Sequence, residues 1–213
     1  MLLPQKFSPV ARVFFMESSK RLNCYSPTLL YIKEWIIIAK SVGKIFEDNW
    51  KKSCPSDILV YRPPDAAQSF DMSSKLRFSQ HSPCDFMHFD GQLFYTLELK
   101  TFEGSCSFER CKGEKGIIHY YQVESLKKFY TYKNVCSGFI LDFRKSDNTY
   151  FLSIEQWDNL VNSISKKSFS ESDILKYATP LLIEKKKLKV NYKYDVEKLF
   201  QKIKEKGYYN NAV

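Results

Sequence analysis

Hydrophobic and polar positions alternate most regularly between residues 86 and 100. Phe86-Met-His-Phe89 and Gln92-Leu-Phe-Tyr-Thr-Leu-Glu-Leu-Lys100 lie on either side of Asp90-Gly91. This alternation predicts two half-buried strands, and an Asp-Gly pair supplies the positive φ angles that a type I′ turn requires. We therefore predict a β-hairpin over this segment.

The rest of the chain predicts a mixture of helices and strands. Apolar residues recur at helical spacing from Leu29 to Trp50, with Glu47 near the edge of the apolar stripe, and again over residues 117–132. Further helices are predicted from Glu155 to about Ile164, from Ser170 onward, and from Val196 to Lys206. Strands are predicted at 57–62, 75–78, 137–144 and 150–154, with Pro63-Pro64 ending the first of them.

Composition narrows the class of partner. The chain has 213 residues, a formal net charge of +9 and an aromatic content of 16%, with aromatic and basic residues interleaved. Such a balance favours a polyanion partner, although a generically basic protein is the simpler alternative. The apolar stretch around Trp35 is too short to span a membrane, and six unevenly spaced cysteines without a signal peptide suggest the reducing cytoplasm.

Chemistry concentrates on the predicted hairpin. Glu98 and Lys100 alternate with Leu97 and Leu99, so the acid and the ammonium project from one face of the strand. The hairpin register brings Asp85 back toward Glu98. Two carboxylates and the Leu99 carbonyl could hold Mg²⁺, and the lysine could orient or deprotonate a water that attacks a phosphodiester.

The order of these residues resembles a known nuclease signature. Pro83-Cys-Asp85 followed by Glu98-Leu-Lys100 resembles the PD-(D/E)XK motif, and about residues 43–200 resemble the RecU-type Holliday junction resolvases. Gly43-Lys-Ile-Phe-Glu47 is similar to that family's Gly-x-x-Phe-Glu helix. The segment His119-Tyr-Tyr-Gln122-Val-Glu-Ser-Leu-Lys127 resembles its His-Gln-x-x-His-Leu-Lys helix, and residues 58–82 take the place of its stalk.

The resemblance implies an α/β (α+β) fold, with a central mixed β-sheet flanked by helices, restriction-endonuclease-like and bearing a short protruding stalk. It divides the chain into an N-terminal arm at 1–40, a nuclease domain at 41–206 with a stalk-like excursion at 57–82, and a tail at 207–213. The stalk segment carries Asp65 and Asp71 where the family pattern leads us to expect basic residues.

The resemblance also implies a set of functional residues and partners. Glu47, Asp85, Glu98, Lys100 and Gln122 are the implied catalytic residues. Asp85, Glu98 and the Leu99 carbonyl are the expected ligands of Mg²⁺ or Mn²⁺, and Glu47 is a further candidate. The implied activity is resolution of four-way DNA junctions by a homodimer, through paired symmetric phosphodiester hydrolysis.

Alternatives remain open at this point. Glu98 and Lys100 could be an ordinary cross-strand pair, Glu47 a solvated helix residue and Gln122 a helix-face amide. The Lys185–Lys187 run could be simply solvated, whereas Lys189, Lys193, Tyr192 and Tyr194 would suit phosphate contacts. The chain could also be a nuclease of other branched or duplex DNA, or a noncatalytic DNA-binding recombination protein on the same scaffold.

Overall fold

The computed structural model describes residues 41–64 and 81–212. The predicted arm at 1–40, the predicted strand at 75–78 and most of the stalk-like excursion lie outside these ranges. The helices are α1 (Val42–Ser53), α2 (Tyr120–Tyr130), α3 (Ile154–Ser163), α4 (Glu171–Tyr177) and α5 (Val196–Lys206). None of the helices in the described ranges has the length and apolar character needed to cross a bilayer.

A mixed sheet of six strands forms the centre of the fold. The strands are β1 (Leu59–Tyr61), β2 (Phe86–Phe89), β3 (Phe94–Phe102), β4 (Cys106–Ser107), β5 (Val135–Phe143), β6 (Asn148–Ser153), β7 (Ser168–Phe169), β8 (Leu181–Leu182), β9 (Lys185–Lys187) and β10 (Tyr192–Tyr194). The central sheet has the order β1-β2-β3-β5-β6-β8, while β4 pairs with β7 and β9 pairs with β10. Its β3–β5 pair is parallel and its other pairs are antiparallel.

Helices cover both faces of this sheet because β3 and β5 bury side chains on both sides. On one face, Phe46 and Trp50 of α1 pack with Leu199 and Phe200 of α5 against the sheet. On the other face, α2, α3 and α4 contribute apolar residues such as Leu126 and Trp157. The prediction of an α+β fold with a central mixed sheet flanked by helices is confirmed.

The predicted hairpin is present, but its turn differs from the prediction. The last cross-strand pair is Phe89–Phe94, and only Gly91 in the Asp-Gly pair has a positive φ, at 85°. A type I′ turn needs positive φ at both central residues, so that prediction is wrong. Instead, the Asp90 carboxylate accepts hydrogen bonds from the backbone N–H groups of Gln92 and Leu93, at 3.0 and 2.9 Å, and stabilises a longer loop.

Other element boundaries also shift. The α2 helix begins at Tyr120 rather than at 117, because Ile118 forms a β-bridge with Phe108 and is buried before the helix starts. On this helix Tyr121 is 38% exposed. The Lys-rich segment at 185–194, for which no strand was predicted, forms the β9–β10 hairpin. In contrast, α5 begins and ends at the predicted residues.

Candidate active site

The β2–β3 hairpin brings two of the predicted site residues, Asp85 and Glu98, together. Phe86 pairs with Leu97, so Asp85, directly before β2, lies beside Glu98. The Leu99 backbone N–H donates a hydrogen bond to Asp85 Oδ2 at 2.8 Å. This bond fixes one carboxylate against the strand that carries the other acid and the lysine.

Glu98 is the centre of the cluster and is only 2% exposed. Gln122 Nε2 donates a hydrogen bond to Glu98 Oε1, and Lys100 Nζ lies 3.1 Å from the same oxygen. Leu97 and Leu99 face the opposite side of the sheet, in the core beneath α1 and α5. The predicted alternation of faces along this strand is confirmed.

Gln122 is held at both ends of its side-chain amide. Its Oε1 atom accepts a hydrogen bond from the His119 backbone N–H at 2.9 Å, at the start of α2. Its amide nitrogen therefore points to Glu98 in a defined orientation. Because the side chain is buried and uses both of its polar ends, it is more than a solvated helix-face amide.

The two acids strongly influence each other. Burial, followed by the charge of Asp85, raises the pKa of Glu98 to about 8, although Lys100 opposes that shift. Burial also raises the pKa of Asp85, against the opposing effects of the Leu99 N–H bond and Lys100. Two adjacent carboxylates that are shielded from water disfavour joint ionisation, and a divalent cation between them removes that penalty.

Glu47 lies on α1 close enough for its charge to contribute to the raised pKa of Asp85. Its own carboxylate is directed at two cations, because Oε2 lies 2.6 Å from Arg62 Nη2 and 3.2 Å from Lys44 Nζ. The structure thus places Glu47 at the edge of the cluster and pairs it with cations. A role for Glu47 as a metal ligand stays a prediction.

The cluster offers few protein ligands, which suits Mg²⁺ better than an ion whose ligands all come from the protein. Within residues 41–64 and 81–212, no group of three His, Cys, Asp or Glu side chains is arranged to hold a metal. Asp85 and Glu98 nevertheless offer two adjacent hard carboxylates beside the Leu99 backbone. Mg²⁺ commonly binds one or two carboxylates and completes its shell with water and substrate phosphate, so these residues fit that ion.

Arg62 is a site residue that sequence reasoning missed. It follows Tyr61, which pairs with Met87, and its charge reaches Asp85 as well as Glu47. The signal was available, because the predicted strand at 57–62 ends in this arginine. What the sequence did not show is that this strand lies beside the one that follows Asp85.

Two residues of the basic C-terminal segment, Lys185 and Tyr194, are less exposed than the sequence suggested. The Lys185 side chain is only 9% exposed, and its Nζ lies 3.3 Å from Asp142 and 2.8 Å from Asp147. It also lies 4.5 Å from the centre of the Tyr192 ring. Tyr194 is buried in the core, so the prediction that it contacts phosphate is wrong; Lys193 remains exposed.

The fold and the site together define a class of protein: a mixed sheet flanked by helices, in which the β2–β3 hairpin carries two adjacent acids and a lysine and the helix α2 adds a glutamine. No protein-family profile matches the chain. It is 31% identical over 174 residues to the SPbeta prophage-derived uncharacterized protein YotM of Bacillus subtilis, an alignment that covers 76% of this chain and 86% of that protein. The chain belongs to the same family as this prophage protein.

Among solved structures, the chain is similar to Hjc, a Holliday junction resolvase from the archaeal hyperthermophile Archaeoglobus fulgidus. The identity is 16%, the TM-score is 0.38, and the match covers 65% of this chain and 90% of that one. The assignment to the RecU-type subfamily stays a prediction, carried by the motif residues.

Proposed function

We propose that the chain is a metal-dependent DNA endonuclease that resolves four-way junctions. The observation that carries this proposal is the buried Glu98 carboxylate, which contacts Lys100 and Gln122 and lies beside Asp85. A Glu–Lys pair on an exposed strand face is solvated, whereas this carboxylate is 2% exposed and adjoins a second acid. Perturbed acids with specific charged partners are typical of functional sites.

Phosphodiester hydrolysis needs an activated water and positive charge near the phosphate oxygens. A bound Mg²⁺ or Mn²⁺ supplies both, by lowering the pKa of water and by neutralising charge. Asp85 and Glu98 would hold that ion, with the Leu99 carbonyl. Lys100, whose side chain is 17% exposed, can reach a substrate from its place beside Glu98 and stabilise charge that develops on the phosphate.

The remaining residues position these groups. Gln122 fixes the Glu98 carboxylate, and the Leu99 N–H fixes Asp85. Arg62, bonded to Glu47, adds a cation beside Asp85 that can contact a neighbouring phosphate. The net charge of +9 favours nucleic acid as the polyanion that enters this site.

The finer proposal is the choice of a branched substrate. It rests on the order of the Glu47, Asp85, Glu98, Lys100 and Gln122 motifs, which resembles that of the RecU-type resolvases. Symmetric cleavage of a junction requires two sites on opposed strands, which a homodimer with twofold symmetry would provide. Sedimentation of the purified protein with and without a junction tests the dimer directly.

The experiment for substrate choice compares a labelled four-way junction, a matched duplex and a flap in Mg²⁺. Paired symmetric nicks on the junction, absent from Asp85→Asn, support the proposal. The matched control is Asp158→Asn, which removes a surface carboxylate paired with Lys127 and should leave cleavage unchanged. Equal cutting of all three substrates would reduce the proposal to a general nuclease, and binding without cutting would favour a noncatalytic DNA-binding protein.

A further inference from the structure

Three aromatic rings form a column at one side of the candidate active site. The rings of His81 and Tyr121 are stacked with centroids 4.5 Å apart and planes 20° apart. The rings of Tyr121 and His119 are stacked with centroids 5.5 Å apart and planes 11° apart. Parallel rings at such distances are the arrangement on which a further planar group can stack.

The column is fixed at its His119 end. His119 Nδ1 lies 2.8 Å from Glu109 Oε1, and the Tyr120 backbone N–H donates to Glu109 Oε2, also at 2.8 Å. The same His119 backbone holds Gln122, which in turn contacts Glu98. The rings are therefore mechanically linked to the acid pair and held at a defined position beside it.

The His81 end of the column faces an open groove. A groove of about 530 Å³ is lined by His81, Pro83, Ser125, Lys128 and Tyr132, among others. Ligand pockets of small molecules span roughly 300–1,000 Å³, so the space suffices for one nucleotide. Pro83 lies two residues before Asp85, so the groove adjoins the candidate active site.

The groove carries the chemistry that a nucleotide needs. The exposed His81 offers an imidazole ring, Ser125 offers a hydroxyl, and the exposed Lys128 offers a cation for phosphate. No described acidic residue lines the groove, in contrast with the cavity near Lys193, whose lining includes Glu184, Asp195 and Glu197. A flat ring and a cation together suit an unpaired base and its phosphate.

We propose that this groove binds one unpaired DNA base, stacked on His81 and backed by Tyr121 and His119, with its phosphate at Lys128. The proposal rests on the proposed function and deepens it, because it assigns a specificity site for bases that are unpaired near a branch point. A duplex whose bases are all paired cannot place a base on His81, so DNA with an unpaired base binds more tightly than matched duplex.

The test compares binding of a duplex that contains a short bulge of unpaired adenines with binding of the matched duplex, in EDTA so that no cleavage intervenes. Base–aromatic stacking contributes enough for the bulged duplex to bind on the order of 10-fold more tightly. His81→Leu should abolish this preference, and His81→Phe, which keeps a stacking ring, should recover most of it. Tyr121→Leu should reduce it, because the supporting ring is lost.

Lys128→Gln tests the phosphate contact, and Lys127→Gln is its matched control. Lys127 is the preceding residue on the same helix, but it points to Asp158 at 2.8 Å. Both variants lose one positive charge, so an equal change in the bulge preference of the two would contradict the role of Lys128. A wild-type preference that His81→Leu leaves intact would overturn the stacking proposal.

The cleavage assay separates this proposal from the proposed function. If the wild-type protein cleaves junctions but binds bulged and matched duplexes equally, only the base-binding groove is refuted. If it prefers the bulged duplex but cleaves no DNA in Mg²⁺, the endonuclease proposal fails, and the groove is supported as a DNA-binding site.

Discussion

Replacing Glu98 by glutamine should stabilise the metal-free protein while it removes activity. The pKa of this carboxyl rises from 4.5 to about 8 on folding, chiefly because of burial and then because of Asp85. The folded state therefore keeps a proton that the unfolded state releases. The contribution of Glu98 to the free energy of unfolding is fully present below pH 4.5 and is lost as the pH rises toward 8.

The magnitude follows from the shift. One pKa unit corresponds to about 1.4 kcal/mol, so the rise in pH from 4.5 to 7 removes roughly 3 kcal/mol of stability at this position. Glutamine has the same size and no charge, but it loses the ion pair with Lys100 and must share hydrogen bonds with Gln122. We expect a net gain on the order of 2 kcal/mol at pH 8 and little gain at pH 4.5.

The assay is urea unfolding in EDTA at both pH values, followed by circular dichroism. Glu103→Gln is the matched control, because Glu103 follows the same strand and its side chain is 80% exposed, with only a 3.5 Å contact to Arg144. This control should change stability by less than about 0.5 kcal/mol. If Glu98→Gln were less stable than the wild type at pH 8, the description of Glu98 as an unfavourably buried acid would be refuted.

Three further predictions concern the scaffold. A Cβ at Gly138 would overlap the Leu152 carbonyl oxygen, so Gly138→Ala should lower the free energy of unfolding by about 1–3 kcal/mol. Gly43→Ala should not lower it, because a Cβ there meets no atom within 4 Å, and equal values for the two variants would contradict this prediction. Burial lowers the pKa of His88 from 6.5 to about 4. Lowering the pH from 6.5 to 4 should therefore destabilise the wild type by roughly 3 kcal/mol more than it destabilises His88→Phe. Parallel plots of unfolding free energy against pH for the two proteins would refute this prediction. Asp90→Ala should cost about 1–3 kcal/mol in urea unfolding because two loop N–H groups lose their acceptor, and an unchanged midpoint would argue against that role.

The local geometry of the site could be predicted from the sequence because it depends on short-range rules. Strand alternation places Glu98 and Lys100 on one face, and hairpin register places Asp85 opposite Glu98. The prediction of a type I′ turn was wrong because the Asp90 side chain accepts hydrogen bonds from backbone N–H groups of the loop. These bonds compete with the two-residue turn that Asp-Gly usually forms.

Long-range features were harder to predict. The pairing of Glu47 with Arg62 depends on how α1 packs beside β1, and no local pattern specifies that packing. The Lys-rich β9–β10 hairpin has no alternating apolar pattern; Lys185 is held there by Asp142, Asp147 and two tyrosine rings. The ring column likewise depends on a contact between His81 and Tyr121, which are distant in sequence, so no local pattern predicted it.

The most direct test of the central claim is single-turnover cleavage of a four-way junction in Mg²⁺, with junction affinity measured in parallel. It compares the wild type with Lys100→Ala and Lys127→Ala. The claim is that the Asp85–Glu98–Lys100 cluster performs the chemistry, whereas binding rests on many phosphate contacts. Lys100→Ala should therefore cleave about 10²- to 10³-fold more slowly with nearly unchanged affinity, and Lys127→Ala should cleave like the wild type. A folded Lys100→Ala protein that cleaves at the wild-type rate would contradict the account.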